Sequence, residues 1–318
     1  MANKSRGCNM NQSREELLGL ITRALDEICY KAEENDLIVK NCGDKSRFDV
    51  RFYIDESKCK IKICAKTHRV EGNMICTTCE LVSKLNQIAP LGKFVLDVDD
   101  FGFEIVFSYY GIWLDESAIV EAFLYLTTIT DIAYLYVSDF LSGKSTKEQV
   151  LDGVSREIEK DQIGLSDFDE VNEAKVSEVF GTIKNALYGA KYKYKENNHS
   201  KTVLFFVRGK VPYMMLFSID RINRSFSIIC SIGLEIENES KAARALCYIS
   251  AKCDFGGFFQ GEGNKIYYKL DAMYPYSDVT EDGILNLVKI TVRECDKYLD
   301  GLISLKSNLE GDGFFNAD

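Results

Sequence analysis

The chain has 318 residues and a formal net charge of −10; 46% of its residues are hydrophobic and 28% are charged. This composition indicates a soluble globular protein long enough for two domains, and it excludes a disordered or fibrous chain. An acidic protein repels phosphate backbones, so we expect no nucleic-acid partner.

The start of the chain and its cysteines both bear on its cellular compartment. Residues 1–13 form a polar tail without the apolar stretch of a secretory signal. The eleven cysteines are an odd number and are interpreted as reduced thiols that behave as small apolar residues. We therefore expect a cytoplasmic protein without a disulfide framework.

A first predicted domain covers residues 14–141. Its opening helix has apolar side chains at helical spacing, and Ser13 is a candidate N-cap. Strands, a short helix, a hairpin that follows Gly92 and a long closing helix come next. The elements are predicted at Glu15–Ala32, Phe48–Ile54, Ile61–Ala65, Cys76–Ile88, Phe94–Ser108 and Glu116–Leu141.

A charged linker, residues 142–173, with one short helix capped by Ser145 or Thr146, separates this domain from a second one. The second predicted domain, residues 174–305, repeats the order of elements about 165 residues later, and residues 306–318 form a tail. Its elements are predicted at Lys175–Ala190, Val203–Val207, Tyr213–Ile219, Phe226–Ile232, Glu239–Cys253, Phe258–Leu270 and Thr280–Leu305.

The repeated order predicts an α+β fold made of two tandem copies of an α-β-β-β-α-β-β-α unit. Each copy is expected to form an antiparallel sheet with helices packed on it. The strands of the second copy alternate less strictly than those of the first, which indicates cover on both faces of its sheet.

The segment Ile119–Leu141 is apolar nearly all round, so we expect it to lie between the two copies. Its acidic residues Glu121, Asp131 and Asp139 would be costly in lipid. We therefore interpret it as a buried helix and expect no membrane partner.

The strand cluster, the helix ending in Leu85-Asn86 and the run from Gly92 to Asp97, which leads into a hairpin and a long helix, resemble the YbjN family, which shares the fold of the type III secretion chaperones. The resemblance covers most of both copies and rests on the order of elements and on a loose glycine-aromatic pattern. The second copy departs from the family, with Ala251-Lys252 in place of the leucine-asparagine pair. The resemblance implies a domain without catalysis whose exposed face binds other proteins or itself; family members are often labelled regulators of bacterial sensory transduction.

The sharpest chemical motif is Cys76-Thr77-Thr78-Cys79 at the start of a predicted helix. A helix N-terminus lowers the pKa of a thiol, so a thiol-redox site is the alternative hypothesis. Zinc binding is a related alternative, because Cys59, Cys64 and His68 precede this pair in the chain. Only one C-x-x-C pair is present and the second copy has no equivalent, so two neighbouring free thiols are the simpler interpretation.

Aromatic residues occupy matching loops between the hairpin and the closing helix of each copy. They are Tyr109, Tyr110 and Trp113 in the first copy, and Tyr274 and Tyr276 in the second. Such side chains are favoured at protein interfaces, which makes them candidate partner-binding residues. The sequence therefore predicts a non-catalytic protein that binds another polypeptide, without a cofactor or metal, either as a monomer with pseudo-dimeric repeats or as a homodimer.

Overall fold

The structure is a computed structural model that describes residues 12–33, 37–164, 170–220, 225–273 and 279–307. It is a mixed α/β protein with two antiparallel sheets. The helices are α1 Arg14–Glu27, α2 Ile75–Ile88, α3 Glu116–Leu141, α4 Lys147–Gly164, α5 Glu170–Gly189, α6 Glu239–Lys252 and α7 Glu281–Ser307. The strands are β1 Ala32–Glu33, β2 Ile38–Cys42, β3 Phe48–Asp55, β4 Lys60–Arg69, β5 Lys93–Asp97, β6 Asp100–Ser108, β7 Tyr194–Asn197, β8 Thr202–Arg208, β9 Pro212–Asp220, β10 Ser225–Glu235, β11 Gly257–Gln260 and β12 Lys265–Met273.

Each half of the chain forms one six-stranded sheet. The first sheet has the strand order β1-β2-β3-β4-β6-β5, and the second has the order β11-β12-β10-β9-β8-β7. Four strands precede the middle helix in each half, so the predicted three were one too few. In the first half the prediction lacked β1, which is only two residues long and lies at the edge of the sheet, and β2 beside it. In β2 the left-handed residue Asn41, with φ of 55°, interrupts the alternation of apolar and polar side chains.

The three central strands of each sheet, β3-β4-β6 and β9-β10-β12, pair in the same register. In the first, Arg51 is opposite Cys64 and Cys64 is opposite Glu104. In the second, at the same interval along the chain, Leu216 is opposite Ile229 and Ile229 is opposite Lys269. Residues of the two sheets can therefore be compared position by position.

Each sheet is covered by helices on one face. In the first half α1 and α3 pack together and α3 lies on β4 and β6, while in the second half α5 and α7 pack together and α7 lies on β10 and β12. Ser13 caps α1 as predicted, in a capping box in which its hydroxyl accepts from the Glu16 amide. The face of each sheet opposite these helices is called its open face below.

The closing helix of the first half, α3, begins and ends where the sequence predicted, but it does not lie between the halves. It packs against α1, the first sheet and α4, the linker helix, which is capped by Thr146. Gly153 of α4 allows this close approach, because a Cβ there would lie 2.3 Å from the ring of Tyr136. The linker therefore supplies the cover that the apolar surface of α3 requires.

Of the residues described, only α3 is long and apolar enough to cross a membrane by length and composition, and 61% of its most apolar stretch is buried within the protein. Its acidic residue Asp131 is also buried, and it accepts hydrogen bonds from the amides of Asp44, Lys45 and Ser46. These donors replace water around the carboxylate, which explains a charge within an apolar helix.

Candidate functional site

The two halves contact each other along a seam formed by α2, α6 and the strands next to them. Two lysines cross the seam in opposite directions. The Lys93 Nζ donates to the Ser250 carbonyl oxygen at the end of α6, and the Lys269 Nζ donates to the Ala89 and Pro90 carbonyl oxygens just after α2, at 3.0 and 2.8 Å. A positive charge at the carboxyl end of a helix is stabilising, so each half caps the middle helix of the other.

Each of these lysines has an acidic partner on its own sheet. The Lys93 Nζ lies 3.0 Å from a carboxylate oxygen of Glu104, which also forms an ion pair with Lys62 at 2.6 Å. The Lys269 Nζ lies 3.1 Å from a carboxylate oxygen of Asp271. The side chains of Lys93 and Glu104 are 7% and 5% exposed, so this ion pair is nearly free of solvent.

The two acidic groups differ in how readily they ionise. Burial opposes ionisation of Glu104, but Lys93 and Lys62 outweigh it and keep its pKa below the usual value. Burial raises the pKa of Asp271, and Lys269 offsets it only in part, together with hydrogen bonds from Ser227 and the Gly92 amide. A cavity of about 20 Å³ among these groups has room for a single water molecule and not for a substrate.

The open face of the first sheet is charged. Asp49 and Arg51 project from β3, and Cys64 and Lys66 project from β4 beside them. Asp49 pairs with Lys40 at 3.1 Å, and Lys66 pairs with Asp100 at 2.9 Å. The part of this face around Asp49, Arg51 and Lys66 is therefore suited to contact with water, whereas Cys64, which lies opposite Glu104, is buried.

The open face of the second sheet is apolar at the same positions. Met214, Leu216, Ile229 and Ser231 take the places of Asp49, Arg51, Cys64 and Lys66. On the neighbouring strand Phe206 lies opposite Met214, and Leu204 lies opposite Leu216. Five of these side chains form what we call the apolar patch: Leu204, Phe206, Met214, Leu216 and Ile229.

The apolar patch is open to solvent. Phe206 is 61% exposed and Met214 is 41% exposed, while the other three side chains are half-buried. The expectation of cover on both faces of the second sheet was therefore wrong for β8 and β9. The adjacent pairs Phe205-Phe206 and Met214-Met215, each with one side chain in the core and one on the open face, were the sequence signal of this patch. Contiguous exposed apolar side chains mark an interaction surface in a soluble protein.

The predicted aromatic site is only partly on the surface. Tyr110 is 42% exposed and Trp113 is 49% exposed, but Tyr109 is 1% exposed and belongs to the core. Burial raises the pKa of Tyr109 to about 12. Tyr274 and Tyr276 lie outside the described residues. The loop that contains Tyr110 and Trp113 contacts the start of α7, where the Thr280 amide donates to the Gly111 carbonyl oxygen at 3.0 Å.

The thiol pair lies at the start of α2, as predicted, but its two members have different surroundings. Cys76 is exposed, whereas Cys79 is buried at the seam. A hydrogen bond from Cys247 of α6 outweighs burial and lowers the pKa of Cys79. All ten cysteines in the described ranges are free, and within those ranges no group of three or more His, Cys, Asp or Glu side chains is placed to hold a metal ion.

Neither protein-family models nor curated protein sequences give a match to this chain. The residues of the seam and of the apolar patch therefore carry the functional argument.

Proposed function

We propose that this protein is a non-catalytic, cytoplasmic polypeptide-binding protein in which two YbjN-like copies form a pseudo-dimer within one chain. The resemblance to the type III secretion chaperone fold supports this proposal through the order of elements in each half. The observation that carries it is the apolar patch, in which Phe206 and Met214 are exposed to solvent. A polypeptide that buries Phe206 and Met214 would gain about 25 cal/mol for each Å² of apolar surface removed from water.

The seam supports the pseudo-dimeric part of the proposal. Lys93 and Lys269 each donate to the carboxyl end of the middle helix of the opposite half, so the contacts are reciprocal, although the two lysines stand at different positions of their sheets. Because the chain satisfies this interface internally, we expect a monomer of 36.1 kDa in solution. Light scattering after size-exclusion chromatography measures this mass, and a stable dimer would show that the seam does not complete the assembly.

The binding role is tested by selection from a displayed random peptide library on the full chain, with the double variant Phe206→Ser/Met214→Ser as the matched comparison. Both side chains are exposed, so the variant is expected to fold normally. Selected peptides should bind the unmodified protein at least tenfold more tightly than the variant. Peptides that bind both proteins equally would remove the apolar patch from the proposal.

A second contact with the bound polypeptide is proposed at the exposed aromatic side chains Tyr110 and Trp113 of the first half. The thiol-redox alternative has less support. It requires Cys76 and Cys79 to act as a pair, whereas Cys79 is buried against Cys247 of the other half and Cys76 is exposed.

A further inference from the structure

We propose that the partner of the apolar patch is an acidic amphipathic helix. This inference rests on the proposed function and adds the chemical class of the partner. It follows from the width of the patch, from the charges at its border and from the charge of the whole chain.

The patch has the dimensions of one helix. Its five side chains come from three neighbouring strands, β8, β9 and β10, and from two successive positions along each of β8 and β9. Neighbouring strands are separated by about 4.8 Å, and alternate residues of a strand by about 6.6 Å. The patch is therefore roughly 10 Å wide, similar to the diameter of an α-helix with its side chains. Helices already cover the other face of this sheet, so a helix would complete a three-layer arrangement.

The border of the patch is basic. Lys195 lies opposite Leu204 on the edge strand β7, Lys193 comes just before that strand, and Arg208 follows Phe206 on the open face. All three side chains are exposed, and none of them forms an ion pair with a residue that the structure describes. A helix with glutamate or aspartate beside its apolar stripe would supply the missing partners.

The same charges argue against a second copy of this face as the occupant. A two-fold contact about an axis across the strands would bring the lysines of the two copies together, and one about an axis along the strands would bring the two Arg208 side chains together; like charges placed together oppose association. The first sheet offers no apolar counterpart, because its open face carries Arg51 and Lys66 at the matching positions.

The test uses two fluorescent peptides of about 18 residues with the same leucine and phenylalanine stripe. One carries glutamate on its polar face and the other carries lysine, and anisotropy titration of the full chain measures each dissociation constant. The net charge of −10 favours the lysine peptide in any non-specific association. If the basic border of the apolar patch determines binding, the glutamate peptide should instead bind at least tenfold more tightly than the lysine peptide.

Two variants separate the proposed partner from the proposed function. The triple variant Lys193→Glu/Lys195→Glu/Arg208→Glu should bind the lysine peptide more tightly than the glutamate peptide. The double variant Phe206→Ser/Met214→Ser should lose affinity for both peptides by tenfold or more. Tyr53→Ser, at a 48% exposed position on the first open face, is the matched control and should change neither.

The possible outcomes are distinct. Equal binding of both peptides that is lost in the serine variant would overturn the acidic partner and leave the apolar patch as a binding site. Binding that the serine variant leaves unchanged, or no binding of either peptide, would overturn both. Concentration-dependent dimerisation that the serine variant abolishes would identify a second copy as the occupant and contradict the inference.

Discussion

The open faces of the two sheets have the same strand register and opposite chemistry. Where the first sheet presents Asp49 and Arg51, the second presents Met214 and Leu216. The inward faces of the same strands are apolar in both halves. The comparison separates positions that maintain the fold from positions that are free to vary, and it locates an exposed apolar surface on the second open face.

A charge is also inverted at the seam, where Glu104 of the first sheet corresponds to Lys269 of the second. Glu104 compensates two lysines, while Asp271 compensates one. We therefore expect the first half of the seam to depend more strongly on its acidic residue, and the predictions below begin there.

The largest effect is expected from Glu104→Gln. The substitution keeps the shape of the side chain but leaves Lys93 buried without a counter-charge, and breaking a buried ion pair costs about 3–5 kcal/mol. Urea denaturation measures the free energy of unfolding. Asp271→Asn is the matched control and should cost less, about 1–3 kcal/mol, because it removes the counter-charge of one lysine instead of two, and Lys269 is less buried than Lys93. Equal losses would show that the two sides of the seam are equivalent.

The same two variants should show opposite pH dependence. The pKa of Glu104 is lowered by folding, so its contribution to stability is present above its unfolded pKa and is lost as the pH falls through the folded value. The pKa of Asp271 is raised, so its contribution is present below its unfolded pKa and is lost as the pH rises through the folded value.

The stability difference between the protein and Glu104→Gln should therefore shrink between pH 6 and about pH 3, while the difference for Asp271→Asn grows. Denaturant titrations at several pH values measure both slopes. Parallel slopes would contradict the assignment of the two carboxyl groups.

A graft tests whether the open-face chemistry is sufficient for binding. Asp49→Met/Arg51→Leu introduces the side chains of Met214 and Leu216 on the first sheet, at exposed or half-buried positions that should leave the fold intact. Peptides selected on the apolar patch should gain a second, weaker site, with a roughly tenfold lower affinity, equivalent to about 1.4 kcal/mol. Isothermal titration counts the sites, and an unchanged single site would show that other residues of the second half are required.

The smallest effect is expected from Trp113→Ala. Its side chain is 49% exposed, so the change should alter the free energy of unfolding by about 0.5 kcal/mol or less. Tyr109→Ala, four residues earlier in the chain and buried in the core, should cost several times more and serves as the comparison. If Trp113→Ala weakens peptide binding as much as the serine variant does, the aromatic loop rather than the second sheet is the main contact.

Much of the architecture follows from periodicity. The helix Glu116–Leu141 and the N-cap at Ser13 were predicted correctly, because strong amphipathic or apolar patterns and capping chemistry are local signals. The neighbour of α3 was not predictable, since an apolar surface indicates how much cover a helix needs but not which segment supplies it. Tyr109 was wrongly predicted to lie on a binding surface, because a tyrosine in a loop is compatible with burial and with exposure.

The contacts across the seam could not be predicted from the sequence either. Lys93 and Lys269 are separated by a long stretch of chain, and only folding brings each to the helix end of the other half. The apolar patch carried a sequence signal, the weakened alternation of β8 and β9, but that pattern cannot distinguish a covered face from one that is exposed for a partner.

The most direct test of the binding face compares two adjacent methionines by methyl NMR. Met214 is 41% exposed on the open face, whereas Met215 is fully buried in the core behind it. With ¹³C-methyl methionine labelling, addition of the glutamate peptide should shift the Met214 signal in proportion to binding and leave Met215 nearly unchanged. A peptide that binds without moving the Met214 signal would contradict the account.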